Sequence, residues 1–327
     1  MSSPDPVSDR SLAGRMLVWV GVLVLAILVA ATALGFLGRT FWLFDLAAAL
    51  RVQYAIGLLV LAALFAATRR RWLLIVSMLG LVTNLALIVP LYVSGQTQAA
   101  ADSPVVRVMF LNTQIRGADA NEVIEDLVRG EPDLVFLSAV TDTWADTLAE
   151  ASIPYTVVQR RPPGVDLELI VLARTGLPVE TLLLDFGAGG RDMAVQAVSL
   201  RETPIRFLVM HPVSPSTPER SAAHREQVEA IADWAREQDD PVVVLGDLNA
   251  TPWSSAFQML LAEGDLVNSQ KGFGLQASWP ASLGPLGVPI DHVLHSQDLT
   301  TVERSLGPGY GSEHRSVNAA IALIEAD

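Results

Sequence analysis

Five strand ends in this sequence carry side chains that could do acid–base, metal or phosphate chemistry. In the stretch VVVLGDLNATPW, residues 242–253, four apolar residues run into Asp247 and Asn249. Side chains alternate along an extended backbone, so this carboxylate and carboxamide point the same way and could orient a water or hold a metal-bound phosphate. Taken alone, they could also form an Asx turn that closes a core strand. The other four ends carry Asn112 after VVRVMFL, His211 after IRFLVM, Asp291 and His292 before VL, and Glu313 with His314 shortly before SVNAAIAL.

Six motifs, taken in order, resemble those of the endonuclease/exonuclease/phosphatase superfamily, which has the DNase I-like fold. They are LN at Asn112, LVFLSAV at 134–140, VMHP at His211, GDLN at 246–249, PIDHVLHS at 289–296 and GSEHRSV at 311–317. GDLN followed by IDH and SEH is a specific signal, whereas each motif alone is weak. The resemblance implies a four-layered α/β sandwich, with two mixed sheets face to face and helices outside. It also implies phosphoester hydrolysis that uses Mg²⁺ or Mn²⁺.

The resemblance further implies a role for each strand-end side chain. His314 would act as the general base that activates water, or would polarise the phosphate, with Asp291 orienting its imidazole ring. His211 would stabilise charge on the phosphoryl oxygens. Asp247 and Asn249 would position the water and the phosphate.

Substrate and metal contacts are implied for four residues. Asn112, Arg174 and His292 would bind the substrate. Arg174 follows a strand at a position where relatives have Ser-Arg, and the alternative for it is a solvated surface position. Glu313 and Asn112 would hold the metal through oxygen atoms, the ligand type that Mg²⁺ prefers.

Two departures from the family pattern bear on catalysis. The metal-binding Glu of the family, expected in an L-Q-E motif after the second strand, falls on Ala139 in LSAV. The Asp of the terminal S-D-H motif is Glu313, whose longer side chain can still bring its carboxylate to the site by changing rotamer. Asp142 or Glu168 could replace the missing ligand. Otherwise metal binds weakly, or the domain has lost catalysis.

The charge of the chain disfavours a long nucleic acid as substrate. The 327 residues carry a formal net charge of −13, and the part after residue 95 holds 15 basic and 32 acidic residues, a charge of −17. Nonspecific binding to nucleic acid relies on Lys and Arg that neutralise phosphates, and Lys271 is the single lysine. The absence of cysteine excludes disulfides and thiolate metal sites.

The high hydrophobic content, 51%, and the mean hydropathy of +0.39 are concentrated in the first 95 residues and predict membrane helices. Three spans fit at 16–37, 47–67 and 72–93, the second if Arg51 snorkels to the interface. Cleavage as a signal peptide is disfavoured, because the first apolar run is long and two more follow. The arginine run 69–71 should stay cytoplasmic, which places the N-terminus inside and the C-terminal part outside the cytoplasm.

These patterns predict a multi-pass protein of the cell membrane, the inner or plasma membrane, in four parts. They are a cytoplasmic tail at 1–15, a three-helix transmembrane region at 16–93, a linker at 94–104 and an α/β domain at 105–327. Helices in the domain are predicted at 121–129, at 218–238 with Thr217 as the N-cap, and at 254–262, and a long loop is predicted at 265–289. His224 and His295 match no family position. We expect a solvated helix residue and an ordinary strand-end residue there.

Three functions remain open from the sequence. The leading one is a membrane-anchored phosphoesterase acting on a small or lipid-linked phosphodiester or phosphomonoester. A non-catalytic, membrane-tethered binding module is the alternative that Ala139 favours. An extracytoplasmic nuclease is the alternative that the acidic charge disfavours. The sequence indicates no oligomeric state.

Overall fold

The computed structural model describes residues 6–93, 95–99, 103–114, 117–130, 132–160, 168–184, 193–200 and 203–324. These divide into two compact units, one ending at Val89 and the other beginning at Pro90. The first unit is helical, and the second contains the strands that the sequence predicts after residue 104.

The first unit contains four helices in the described residues. They are α1 (Pro6–Leu34), α2 (Trp42–Ala48), α3 (Arg51–Ala67) and α4 (Arg71–Ile88). By length and composition, the segments Gly14–Leu37 and Arg71–Leu91 can each cross a membrane, and α2 with α3 forms a third span if the pair counts as one. That pair is bent by 65°, so the predicted second span is broken rather than straight. Helix α1 begins at Pro6, inside the segment predicted as a tail.

Small residues and one buried arginine hold these helices together. A Cβ on Gly57 would meet Leu28 at 2.8 Å, and one on Gly80 would meet Leu58 at 3.1 Å, so both glycines permit close helix approach. Arg51 is 1% exposed and donates from Nη1 to the carbonyl of Thr32 at 2.8 Å. The prediction that Arg51 snorkels to the interface is therefore wrong, because its guanidinium finds an acceptor within the helical unit.

The second unit is built from twelve strands and four helices in the described residues. The strands are β1 (Val105–Asn112), β2 (Leu134–Val140), β3 (Tyr155–Arg160), β4 (Glu168–Arg174), β5 (Glu180–Leu184), β6 (Met193–Leu200), β7 (Thr203–Met210), β8 (Val242–Asp247), β9 (Leu266–Asn268), β10 (Asp291–Ser296), β11 (Leu299–Leu306) and β12 (Val317–Leu323). The helices are α5 (Ala120–Gly130), α6 (Asp142–Glu150), α7 (Pro218–Arg236) and α8 (Ser255–Glu263). The order is β11-β12-β1-β2-β4-β3 in the first sheet and β5-β6-β7-β8-β10-β9 in the second.

The two sheets pack face to face with helices on both outer faces. Apolar side chains of both sheets form the central core, where the rings of Phe136 and Phe207 stack with centroids 6.3 Å apart. Val123 of α5 and Leu148 of α6 pack on the first sheet, and Ile231 of α7 packs on the second. The predicted four-layered α/β sandwich is confirmed.

Helix and loop boundaries follow local sequence signals. The hydroxyl of Thr217 accepts a hydrogen bond from the backbone N–H of Arg220 and so caps α7, with Pro218 at its first position. The predicted loop 265–289 contains β9 and a 3-10 segment, Ala281–Leu286. Helix α6 lies outside the three predicted helices.

Residues 91–99 belong to the second unit, and several of those described make hydrogen bonds to its loops and strands. The carbonyl of Leu91 accepts from the backbone N–H groups of Gly272 and Gly274. Gln96 donates from Nε2 to the carbonyl of Asn268 at 3.2 Å, and its Oε1 accepts from the N–H of Thr301. The segment predicted as a linker thus makes specific hydrogen bonds to the α/β domain.

Candidate active site

Strand pairing brings the polar strand ends to one edge of the sandwich. In the second sheet, β7 and β8 are parallel with Met210 opposite Gly246, so His211 follows beside Asp247. Strands β8 and β10 are antiparallel, with Asp247 directly opposite Asp291. In the first sheet, β1 ends at Asn112. A hydrogen bond between the side chains of Asn112 and Asp247 joins the two sheets at this edge.

Asp247 lies at the centre of the cluster and is 2% exposed. Its Oδ2 accepts from Nδ2 of Asn112 at 2.9 Å and lies 3.5 Å from Nε2 of His211 and 3.9 Å from Nε2 of His314. Its Oδ1 accepts from the backbone N–H of Asn249 at 2.9 Å. The site residues predicted from four separate motifs therefore converge on one carboxylate.

Asp291 and His314 form a buried carboxylate–imidazole pair. Nδ1 of His314 lies 3.0 Å from Oδ2 and 3.2 Å from Oδ1 of Asp291, and both residues are at most 5% exposed. With its Nδ1–H donating to Asp291, His314 presents Nε2 as an acceptor, and Nδ2 of Asn112 lies 3.4 Å from it. The amide group of Asn112 has two N–H donors, so it can serve Asp247 and His314 together.

Burial and neighbouring charges shift the pKa values of this cluster. Burial, and then the Asp291 carboxylate, raise the pKa of Asp247 to about 7, although His314 and hydrogen bonds from Asn249 and Asn112 oppose the shift. Burial alone would lower the pKa of His314, but Asp291, followed by Asp247 and Glu313, outweighs burial and raises it. The raised pKa values of the Asp247 carboxyl and the His314 imidazole make these two groups suited to proton transfer.

The turn that carries the GDLN motif, residues 246–249, contains two positive φ angles, and both fall on residue types that favour them. Gly246 has φ of 141°, and a Cβ there would lie 1.9 Å from the carbonyl oxygen of Met210. Asn249 has φ of 52°, and its Nδ2 donates to the carbonyl of Pro212 at 3.1 Å, which ties the corner to the turn that carries His211.

A third imidazole, that of His224, contacts the backbone of the GDLN motif from outside the cluster. Nε2 of His224 lies 2.8 Å from the carbonyl oxygen of Leu248, and His224 is 3% exposed. The prediction of a solvated His224 is wrong, because it lies on the same face of α7 as Val228 and Ile231. That spacing of four and seven residues is a signal that could have shown its burial.

Gln114 contacts Glu313, the predicted metal ligand, and is a site residue that the sequence did not identify. Its Nε2 donates to Oε2 of Glu313 at 3.2 Å, and its Oε1 accepts from the backbone N–H of Glu313 at 2.9 Å. The backbone N–H of Gln114 donates to Oδ1 of Asn112. Gln114 thus orients Glu313 and the side chain of Asn112 together. Nothing in its local sequence distinguishes it from a surface glutamine.

Ala139 is the residue at which the resemblance to the family predicts a metal-binding carboxylate. It is 2% exposed, has φ of 57°, and lies at the irregular end of β2, where the register with β4 shifts between Ser138 and Val140. Its carbonyl accepts from the hydroxyl of Thr113, which follows Asn112. The backbone of Ala139 is therefore hydrogen-bonded to the residue next to Asn112, although the alanine side chain provides no metal ligand. The side chains of Asp142 and Glu168, the suggested substitutes, lie outside the described residues.

Two predicted substrate contacts lie away from the cluster. Strand β4 is antiparallel to β2, with Ala173 opposite Leu134, while Asn112 is opposite Ser138 at the other end of β2. Ser138 lies four steps along β2 from Leu134, so Arg174 is separated from Asn112 by at least roughly 13 Å along the strand. Its Nε instead lies 3.6 Å from Oδ1 of Asp133.

The side chain of His292 also points away from the cluster, because it follows Asp291 on β10 and neighbouring residues of a strand point to opposite faces. It is fully buried, its Nε2 lies 2.8 Å from the carbonyl oxygen of Ala250, and its ring lies 4.6 Å from that of Phe257. Burial lowers the pKa of His292 to about 4. The structure thus places His292 in the layer between β10 and α8.

The donor groups of the cluster fit a divalent cation that prefers oxygen. One donor atom from each of Asp247, Asp291 and His314 lies within 4.8 Å of the others, although Asp291 and His314 also bind each other. The carboxylate of Glu313 is exposed at the edge of the cluster. Few, hard oxygen donors are typical of Mg²⁺ sites, in which waters and substrate phosphate complete the coordination.

Known proteins share this fold and its sequence pattern. The family model of the endonuclease/exonuclease/phosphatase family matches residues 109–314, whereas no curated protein sequence matches the chain. The structure of truncated TDP2 from Caenorhabditis elegans is 20% identical with a TM-score of 0.53, over 67% of this chain and 98% of that chain.

Two further solved structures are similar to this chain. The endonuclease/exonuclease/phosphatase from Beutenbergia cavernae is 19% identical with a TM-score of 0.52, over 68% of this chain and 72% of that chain. TDP2 of D. rerio complexed with a single strand DNA product is 16% identical with a TM-score of 0.53, over 67% of this chain and 99% of that chain. These likenesses establish the fold, and the family match covers more than half of the sequence. The chain belongs to the endonuclease/exonuclease/phosphatase family.

Proposed function

We propose that this protein is a membrane-anchored, divalent-metal-dependent phosphoesterase that hydrolyses a phosphodiester or phosphomonoester. The observation that carries the proposal is the convergence of Asn112, His211 and His314 on the buried carboxylate of Asp247, with Asp291 holding His314 from behind. If this cluster had no function, apolar side chains would stabilise the fold more, because two buried carboxylates that face each other are destabilising.

His314 is the proposed general base. Asp291 accepts its Nδ1–H and fixes the ring, so Nε2 faces the cluster and can take a proton from the attacking water. The Asp291 carboxylate then stabilises the imidazolium that forms. Polarisation of the phosphate by His314 is the other role that this geometry supports.

The remaining side chains position the phosphoryl group. His211 and the amide of Asn112 approach Asp247 from different strands and can donate to phosphoryl oxygens, where negative charge increases during the reaction. Asp247 positions the water or the phosphate. Asn249 acts through the turn at Pro212, because its amide nitrogen binds that carbonyl.

Glu313 and Asn112 are the proposed metal ligands, with Gln114 holding the Glu313 carboxylate in place. A bound Mg²⁺ or Mn²⁺ would supply Lewis-acid polarisation of the phosphate. Ala139 contributes no ligand, so the site holds fewer protein carboxylates than is usual in the family.

A small or lipid-linked phosphoester is the proposed substrate class. The acidic domain, with a charge of −17, repels polyanions. The apolar helices of the first unit support a location at a membrane, with the α/β domain proposed on the extracytoplasmic side. The TDP2 structure with a single strand DNA product supports an extracytoplasmic nuclease as the second candidate, and the charge of this chain opposes it.

The absence of a carboxylate at Ala139 supports a rival of another class, a binding module that retains the cluster without turnover. The phosphoesterase, the binding module and the nuclease are distinguished by one assay. The purified full-length chain is incubated with Mg²⁺ or Mn²⁺ and aryl phosphodiesters, phosphomonoesters, phospholipids or DNA. We expect hydrolysis of small or lipid-linked esters and little of DNA. No product from any class, together with loss of phosphoester binding in His314→Ala, would favour the binding module. Cleavage of DNA that survives moderate salt would favour the nuclease.

A further inference from the structure

Exposed apolar side chains are concentrated beside the candidate active site. Among the described residues from 103 to 324, six large apolar side chains are more than a third exposed, and three of them lie between 279 and 286. Trp279, Leu283 and Leu286 are 37%, 52% and 49% exposed. We call these three residues the apolar rim. Clustering of this kind marks a contact surface, whereas isolated exposed apolar residues are ordinary.

The segment that carries the apolar rim is fixed to the catalytic residues at its base. Trp279 and Val288 exchange two backbone hydrogen bonds and close the loop. Ser278 directly precedes this loop, and its hydroxyl accepts a hydrogen bond from the backbone N–H of Asp291 at 3.1 Å. The backbone N–H of Arg315 donates to the carbonyl of Ser278. The loop is thus held between the strand of Asp291 and the segment of His314.

The apolar rim lies within reach of the phosphate site. The ring of Trp279 lies 6.4 Å from the ring of His314, and the backbone N–H of Ala281 donates to the carbonyl of Glu313 at 2.6 Å. Leu283 follows two residues later, so it lies within roughly 7 Å of chain from that contact. A group attached to a phosphate at the cluster would therefore lie close to the ring of Trp279, and the loop that follows carries Leu283 and Leu286.

We propose that the apolar rim binds the aliphatic group esterified to the substrate phosphate, so that the site selects lipid-type phosphoesters. This proposal rests on the phosphoesterase function proposed above. The acidic domain disfavours polyanionic substrates, and the apolar helices of the same chain, long enough to cross a membrane, support a substrate drawn from membrane lipids. The rim contacts the first methylenes of the aliphatic group, next to the ester oxygen.

A homologous series of substrates tests the apolar rim directly. Methyl, ethyl, propyl and butyl p-nitrophenyl phosphate share one leaving group and stay monomeric in water. For the full-length chain in detergent with Mg²⁺, we expect kcat/KM to rise by about 2- to 4-fold for each methylene that the rim covers. The double variant Leu283→Ser/Leu286→Ser should flatten the series, so that kcat/KM no longer rises with chain length. The matched control, Val128→Ser/Val157→Ser, replaces two exposed residues elsewhere and should keep the slope.

Binding of the corresponding alkylphosphonates, measured by calorimetry, separates the two proposals. Hydrolysis with no dependence on chain length, or a slope that the double variant retains, would overturn the apolar rim and leave the phosphoesterase intact. Phosphonate binding that strengthens with chain length in wild type and not in the double variant, without any hydrolysis, would support the rim and refute the enzyme. Absence of both effects would refute both. Equal thermal midpoints of the variants and wild type verify folding.

Discussion

Asp291 contacts two members of the candidate site at once. Its Oδ2 lies 3.0 Å from Nδ1 of His314, and across the β8–β10 pair it lies directly opposite Asp247. One buried carboxylate therefore fixes the ring of the proposed base and, together with burial, raises the pKa of the central carboxylate. Removing its charge should affect catalysis more than folding.

The first prediction concerns Asp291→Asn. The amide keeps the shape of the side chain but no longer stabilises the imidazolium of His314, so kcat should fall roughly 10²- to 10⁴-fold with a smaller change in KM. Steady-state kinetics on methyl p-nitrophenyl phosphate measure both parameters. Asp240→Asn is the matched control, because Asp240 pairs with Arg206 away from the cluster and should leave kcat unchanged. Equal kcat values for Asp291→Asn and wild type would remove Asp291 from the mechanism.

The second prediction concerns metal binding at Ala139. Its backbone already has a positive φ with a Cβ present, so Ala139→Glu adds no new Cβ strain. The restored carboxylate should lower the Mg²⁺ concentration for half-maximal activity by roughly 10- to 100-fold and enlarge the thermal stabilisation by Mg²⁺. Ala139→Gln, of the same size without the charge, is the control. An unchanged Mg²⁺ requirement in Ala139→Glu would show that the missing ligand does not limit the site.

The third prediction concerns Gln114, whose side chain holds Glu313 through two hydrogen bonds. Gln114→Ala should raise the half-maximal Mg²⁺ concentration about 10-fold, because the ligand loses its orientation. The thermal midpoint should move little, since Gln114 is exposed. Saturating Mg²⁺ should restore kcat in Gln114→Ala but not in Glu313→Ala. Loss of kcat that Mg²⁺ cannot restore would point to a direct catalytic role of Gln114.

The fourth prediction concerns His292 and stability at low pH. Burial lowers its pKa to about 4 from 6.5, so the unfolded chain binds more protons than the folded one between these values. The free energy of unfolding should therefore fall as pH drops from about 6.5 to 4, with His292 contributing about 3 kcal/mol by pH 4. Thermal unfolding followed by tryptophan fluorescence should show a shallower decline in His292→Gln. Parallel declines in both proteins would exclude His292 as the source.

The strand-end pattern predicted the central cluster because motif and topology agree there. Asn112, His211, Asp247, Asp291 and His314 each end or flank a strand, and strands of this fold bring those ends together. Arg174 was misplaced because the direction of β4 relative to β2 is set by tertiary pairing, which local sequence does not encode. Gln114 was missed because its partner Glu313 lies 199 residues away. Three membrane helices were predicted from hydropathy, but the 65° bend between α2 and α3 was not.

The fifth prediction concerns topology, and the lack of cysteine makes it simple to measure. Thr40→Cys and Ser152→Cys should react with a membrane-impermeant maleimide in intact cells. Thr68→Cys, beside the arginine run, should react only after permeabilisation. All three positions are exposed. Labelling of Thr68→Cys in intact cells would reverse the proposed orientation.

The most direct test of the phosphoesterase proposal is Mg²⁺-dependent turnover of an aryl phosphodiester by the full-length wild type, His314→Ala and Asp247→Ala. We predict turnover by the wild type that chelation abolishes, and a loss of at least about 10³-fold in kcat/KM in either variant, because each removes a group that acts on the phosphoryl transition state. Turnover by either variant at the wild-type rate, or none by the wild type across the phosphoester panel, would contradict the proposed function.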